Sequence, residues 1–559
     1  MPPLLRLMPP SGLLTGWPVV VQFLNHETVG LSDTLATALD ASMPAVLYPI
    51  PPISERIHPS HLEALALAGR LAADTALMLT SGGDSRITCD PATGRNRYGT
   101  RTTPCPDELF FASTTANNVT LSSFQVADRA LDQLLTSGLS NRLQIEQWFD
   151  EIRARISSHL GAAGSATILA ASGTDAELIA LSLVAGLTHR PVTNILVAPD
   201  ETGSGVPMAA AGRHFLRCTA LGAIVEAGSA INADLVASTE VRSIAIRADD
   251  GSPREPQAID RDVAIAVAQE LRRGRDVLLH LLDTSKTGLA GVSRSVARQL
   301  AACAPSRVRV VVDACQLRCP FEKIRQDLND GFMVIATGSK FAGGPPFSGA
   351  LLLSQSLAEE IARDGTLAPG LCEYSARLDW PTKLRARFNA SLSTEANIGL
   401  GLRWVAALDL MDRVSRISAP LRASMIARFA SAVAARTSNL RFIACPAYIG
   451  HNAHAASSII PLTVLDRAGQ PASFDEAQRI HAGLRAVGDA PICHVGQAVR
   501  LGSRTVLRLA MSANDLAVIA ERHSTQTLDE AFRPLEADLD AVLAKWALLA
   551  HKAGPRQTA

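Results

Sequence analysis

"GFMVIATGSKFAGGPPFSG" (residues 331–349) joins a short apolar run to a single lysine, Lys340, set among small residues. A solvated lysine ordinarily keeps other charges for company, but here the neighbours are Gly338, Ser339, Phe341, Ala342, Gly343, Gly344, Pro345 and Pro346. The run reads as a buried strand and the small residues as backbone folded closely around one amine. Three other segments share the design: "ATILAASGTDAELIALSLVAGL" (166–187), "DVLLHLLDTSKTGLAG" (276–291) and "RVRVVVDACQ" (307–316). Each apolar run ends in polar residues or glycine, as does "NILVAPDETGSG" (194–205). Unbroken apolar runs separated by helical patterns mark a mainly parallel sheet covered by helices on both faces. The fold class is therefore α/β, and in such sheets ligands sit beyond the carboxyl ends of the strands.

The rest of the chain sets bounds on this reading. Its 559 residues are too many for one compact core, which predicts two to four domains. Lys+Arg and Asp+Glu both number 53, so the formal charge is zero, and nucleic acid or an anionic membrane is excluded as the main partner. Nine cysteines are scattered with no paired framework, so a reducing cytoplasm is the expected setting. Prolines interrupt the apolar N-terminus, and no run elsewhere is long enough for a membrane span.

Along the chain, residues 1–110 are rich in Pro, Gly and Thr, with helical patches near 31–42 and 59–79, and read as an N-terminal extension. A helical segment covers 124–160, and strand–helix alternation follows from about 165, giving a large domain over 111–395 with an insertion at about 218–275. A long helical pattern over 395–436 leads into a smaller αβ C-terminal domain, so 396–559 is read as connecting helix plus small domain.

Four strand ends carry candidate chemistry. Ser172, Gly173 and Thr174 open a helix, where free N–H groups and the positive dipole end suit a phosphate; an ordinary helix cap fits the same residues. Asp313 ends a buried strand, where a carboxylate is costly unless it meets a cation, or else caps the next helix. Lys340 in tight backbone is a candidate nucleophile, its other reading being structural. Arg508 in "LRLAMS" (507–512) suits a substrate carboxylate or an internal ion pair. In this order, the four fit pyridoxal 5'-phosphate (PLP) held on a lysine, with an acid at its pyridinium nitrogen.

These residues resemble fold-type I PLP-dependent enzymes of the class V aminotransferase and cysteine desulfurase group, over roughly 110–550. The resemblance implies a mainly parallel seven-stranded sheet sandwiched by helices, a smaller α+β C-terminal domain, and a homodimer with the site at the subunit interface. Gly173-Thr174 matches the family's phosphate-binding pair. Asp313 and Gln316 match its D-x-x-Q, which implies Asp313 at the pyridine nitrogen and Gln316 at the ring hydroxyl. Ser339-Lys340 matches the Schiff-base lysine, with Thr337 expected beside it among the cofactor contacts. Ser285 in "DTSKTG" falls near the cofactor oxygen, and Thr394 matches a residue that reaches the partner subunit's phosphate. Arg508 matches the reader of the substrate α-carboxylate. In the N-terminal part, "GRNRYGTRTTPCP" (94–106) and "FFASTTANNVT" (110–120) are dense in polar groups, and Asn117 is a candidate substrate contact.

The sequence departs from the family in two places. Where the family stacks a histidine or another aromatic residue on the cofactor ring, this chain has Glu201 and Thr202; Thr202 is kept as a cofactor contact and His214 is read as structural. Desulfurases carry a cysteine on a mobile loop before the final arginine, but Cys493 lies in "APICHVGQAVRLG" (490–502), which reads as a strand with a core thiol. The resemblance implies an enzyme acting on an amino acid: an aminotransferase first, with elimination, replacement or decarboxylation open beside it. A non-catalytic PLP-fold binding protein would be expected to lack Lys340, Asp313 or Arg508, and all three are present. No metal site is expected, since Cys315 and Cys319 have no second pair.

Overall fold

A computed structural model describes residues 74–136, 142–444 and 458–552, except 467 and 489. The helical patch expected near 31–42, and most of that near 59–79, lie outside the described residues.

The β-branched runs become the main sheet. Its strands are β2 (Ala166–Ala170), β3 (Val192–Val197), β4 (Thr239–Ile244), β5 (Asp276–Leu282), β6 (Val308–Ala314), β7 (Met333–Thr337) and β8 (Gly349–Leu353), in the order β2-β8-β7-β6-β5-β3-β4. Neighbours from β4 through β7 pair in parallel, and β8 is antiparallel to both of its neighbours. The sheet thus has seven strands, as expected, with one reversed. Burial on both faces explains the continuous apolar sequence of β3, β5 and β7, each buried at every position. Helix Gly173–Ala185 packs on one face and is itself buried almost all round.

The segment 218–275, expected as an insertion, contributes edge strand β4 and helix Pro256–Arg272 to this layer. The sequence hid β4 because its "TEVRSI" is half exposed, as an edge strand permits. The pattern over 395–436 divides into helices Ile398–Ser415 and Ala419–Thr437, where Ser418 caps the second and Pro420 opens it.

A second, five-stranded sheet has the order β1-β11-β12-β10-β9, from β1 (Leu109–Phe111), β9 (Ile443–Ala444), β10 (Ile459–Val464), β11 (Cys493–Leu501) and β12 (Arg504–Ala510). β1 pairs in parallel with β11, so the N-terminal region is woven into the C-terminal sheet. Arg318 fastens this junction. It donates to Ser113 Oγ at 2.8 Å, to the Met511 carbonyl at 3.1 Å and to Ser458 Oγ, and its guanidinium lies over the Phe341 ring. Among the described residues, no helix is long and apolar enough to cross a membrane.

Candidate active site

Ser172, Thr202, Ser285, Asp313 and Lys340 all lie at or just past the carboxyl ends of parallel strands, on one edge of the main sheet. Asp313 and Ile335 are register partners on β6 and β7, which brings the Asp313 and Lys340 loops side by side. Gly173 closes the gap from the helix side: a Cβ there would stand 2.5 Å from Cys315 Sγ and 3.6 Å from Thr337 Cγ2. Only glycine permits that approach. The Thr337 hydroxyl donates to the Cys315 carbonyl at 2.7 Å and locks the ends of β6 and β7 together.

Backbone strain gathers here as well. Of the five described non-glycine residues with positive φ, Ala198 precedes Glu201, Leu317 follows Gln316, and Phe347 closes the Lys340 loop. Such conformations cost roughly 1–3 kcal/mol each and persist where the surroundings over-determine them. The Phe347 carbonyl shows how, since it accepts from Arg403 Nε at 2.6 Å.

Several polar groups at this edge are left without partners. Ser172 caps the helix from its Oγ, while the buried Thr174 hydroxyl and the first-turn N–H groups of Gly173 and Thr174 have no partner among the described residues. Asp313 accepts from the Cys315 N–H at 3.0 Å and meets no cation among the described residues. Gln316 is buried; its amide donates to the Thr114 carbonyl at 3.1 Å, and its Oε1 has no partner. Burial pushes the Cys315 thiol well up; Asp313 raises it further and Lys340 acts in the opposite direction.

Arg508 enters from β12 and is 1% exposed. It donates to the Gln497 carbonyl at 2.9 Å, the Lys286 carbonyl at 3.2 Å and Thr115 Oγ1 at 3.4 Å; its Nε is buried and unpartnered. No carboxylate pairs with it among the described residues, so it is not the internal ion pair that the sequence left open. Burial lowers its pKa to about 10, with Glu201 acting weakly against the fall. Gly496 preserves the space beside it, since a Cβ there would lie 2.9 Å from Arg508 Nε.

The remaining expectations divide. The Asn117 amide donates to the carbonyls of Ser339, at 3.2 Å, and of Lys340, so it steadies the lysine loop. Ser285 is fully engaged: it donates to Glu201 Oε2 at 2.6 Å and accepts from the Thr287 and Leu289 N–H groups. The Thr202 hydroxyl donates to the Pro199 carbonyl at 3.0 Å, although Gly203 beside it faces Thr174. The Thr394 carbonyl accepts from Arg377 N at 2.8 Å. His214 bonds to the Tyr374 hydroxyl at 2.8 Å and stacks on its ring, a structural role; Cys493 is wholly buried on β11.

Three residues at this edge escaped the sequence reading. Thr114 and Thr115 reach Gln316 and Arg508 from the N-terminal strand. Lys286 lies in the turn after β5, where its carbonyl accepts from Arg508. Its signal was a lone lysine among hydroxyls in "DTSKTG".

No protein-family model and no curated protein matches the chain. Solved structures match its fold. The cystine C-S lyase C-DES, bound to its product cysteine persulfide, superposes with a TM-score of 0.50 at 14% identity, over 80% of this chain and 98% of that one. The chain has the fold of C-DES. A C-DES mutant with glycine covalently linked to the PLP cofactor gives 0.51 at 12% identity, over 80% and 97%. The cysteine desulfurase CsdA of Escherichia coli matches at 13% identity and a TM-score of 0.47, over 80% and 95%. The fold-type I architecture expected from the sequence is thus the one observed.

Proposed function

We propose that this chain is a PLP-dependent enzyme acting on an amino acid, with amino-group transfer as its reaction. One observation carries the reading: Arg508 is buried, has no carboxylate partner among the described residues, and bonds the Lys286 carbonyl just past β5, on the sheet edge that also carries Asp313 and Lys340. Such a cation is costly unless a ligand answers it.

The residues present fit the cofactor. The open helix end at Ser172, Gly173 and Thr174 suits its phosphate, the Asp313 carboxylate, which meets no cation among the described residues, its protonated ring nitrogen, and the orphaned Gln316 Oε1 its ring hydroxyl. When bound, PLP supplies an electron sink that stabilises negative charge at the substrate Cα. The chain's own groups do the rest. Arg508 holds the α-carboxylate, Asp313 keeps a proton on the ring nitrogen, and the Lys340 amine takes and returns the proton at Cα. Asn117 fixes the loop from which Lys340 acts. Thr337 and Ser339 complete the cofactor wall, and Thr202 lies at its margin.

The proposal extends to a homodimer in which Thr394 reaches the partner's phosphate, and to a cytosolic setting that suits the eight free thiols described. A second reading, cleavage of a C–S bond, is favoured by the likeness to C-DES. Transfer of sulfur to a cysteine of this chain has less support, because burial pushes up the thiols of Cys315, Cys319 and Cys493.

Lys340→Ala is expected to abolish the visible absorbance of the purified protein; an unchanged spectrum overturns the proposal. Amino donors alone are expected to convert the bound cofactor to its aminated form. Release of ammonia and a keto acid without that conversion favours the lyase reading.

A further inference from the structure

Arg508 accounts for one carboxylate, but a second cationic residue, Lys286, touches it through its main chain and has no ion-pair partner among the described residues. The Lys286 main chain is held on both sides: its N–H donates to the Glu201 carbonyl at 3.0 Å and its carbonyl accepts from Arg508 at 3.2 Å. Its half-buried ammonium makes no hydrogen bond or ion pair among the described residues. Glu201, whose carbonyl holds the Lys286 N–H, has its carboxylate oxygens already taken by Arg247, Ser285 and Thr287. Asp200 is exposed. Burial first, and then the charges of Arg508 and Lys340, push the Lys286 pKa down to about 8, with Glu201 and Asp200 acting in the opposite direction.

A substrate with one carboxylate would satisfy Arg508 and leave the half-buried Lys286 ammonium without a counter-charge, an unfavourable arrangement. We infer that the site takes an amino acid carrying a second acidic group on its side chain, and that Lys286 binds that group. This inference rests on the amino-acid reading above. A second charged hydrogen bond is worth roughly 1.5–3 kcal/mol, and about 1.4 kcal/mol is tenfold in affinity.

Calorimetric titration of the holoprotein with unreactive acids tests it. Near pH 7, succinate or glutarate is expected to bind about tenfold or more tightly than butyrate. In Lys286→Met that preference is expected to collapse, with cofactor absorbance retained, and Lys286→Arg is expected to restore it. Equal binding of mono- and dicarboxylates by wild type overturns the inference, as does a preference that survives in Lys286→Met. Loss of cofactor in Lys286→Met also overturns it, by making Lys286 a cofactor ligand. These failures are separable from failure of the amino-acid reading: protein without the PLP chromophore overturns that reading, whereas chromophoric protein blind to the second carboxylate overturns only this inference.

Discussion

Arg403 and Arg508 are both buried to within 1% exposure, and burial lowers both, to about 9 and about 10. Their surroundings differ. Arg403 spends its guanidinium on the carbonyls of Leu79, Ser81, Gly82 and Phe347, pinning the start of the described N-terminal segment against helix Ile398–Ser415. Arg508 leaves Nε bare and makes two contacts longer than 3 Å. Arg403 saturates carbonyls and holds the fold, whereas Arg508 keeps a spare donor beside the loop ends of the main sheet, with no carboxylate partner among the described residues. Burial alone does not separate the two; the accounting of donors does.

The sharpest way to break the contrast is to exchange each arginine for glutamine. Arg508→Gln is expected to raise KM for the amino acid about 10²-fold, since truncating one partner of a buried charge pair costs roughly 2–5 kcal/mol. Its unfolding midpoint should move little. Arg403→Gln is expected to do the reverse, lowering unfolding free energy by roughly 3 kcal/mol or more, because several acceptors each lose about 1–3 kcal/mol. Denaturant titration and steady-state kinetics on both variants check this, and matching losses in both assays would dissolve the distinction.

A smaller effect sharpens it by pH. Burial and the charges of Arg508 and Lys340 lower the Lys286 pKa to about 8, with Glu201 and Asp200 opposing them. Its charge is present below that value and lost above it. The affinity advantage of a dicarboxylate should therefore decline as pH rises through about 8, while Arg508, lowered only to about 10, still holds a monocarboxylate. Affinities measured across that range check the sign.

The smallest expected effect concerns the anchoring of the N-terminal strand. Glu108 pairs with Arg95 at 2.5 Å and with His494 at 2.8 Å, and despite the cost of burial these partners hold its pKa down at about 2. A depressed carboxylate contributes stability that is complete above its ordinary value and fades as pH falls toward about 2. Glu108→Gln should therefore be less stable than wild type at neutral pH, with the gap narrowing in acid.

The sequence disclosed what depends on local pattern. Buried runs ending in Asp313 and Lys340 announced a parallel sheet and its ligand edge, because β5, β6 and β7 are apolar along most of their length. Strand β4 escaped because an exposed edge strand carries no such signal. Strand β1 escaped because three residues, Leu109–Phe111, are defined only by a partner, β11, far along the chain. Lys286 escaped for a related reason. Its meaning lies in the nearness of Arg508 and in the saturation of Glu201 by Arg247, neither of which sequence spacing reveals.

With two lysines near one another at the site, the identity of the one that holds the cofactor is the central claim. Borohydride reduction of the purified protein, followed by proteolysis and mass spectrometry, tests it directly. The expected result is a pyridoxyl phosphate group fixed on the peptide containing Lys340, with the Lys286 peptide unmodified. Label on Lys286, or on neither lysine, would contradict the account.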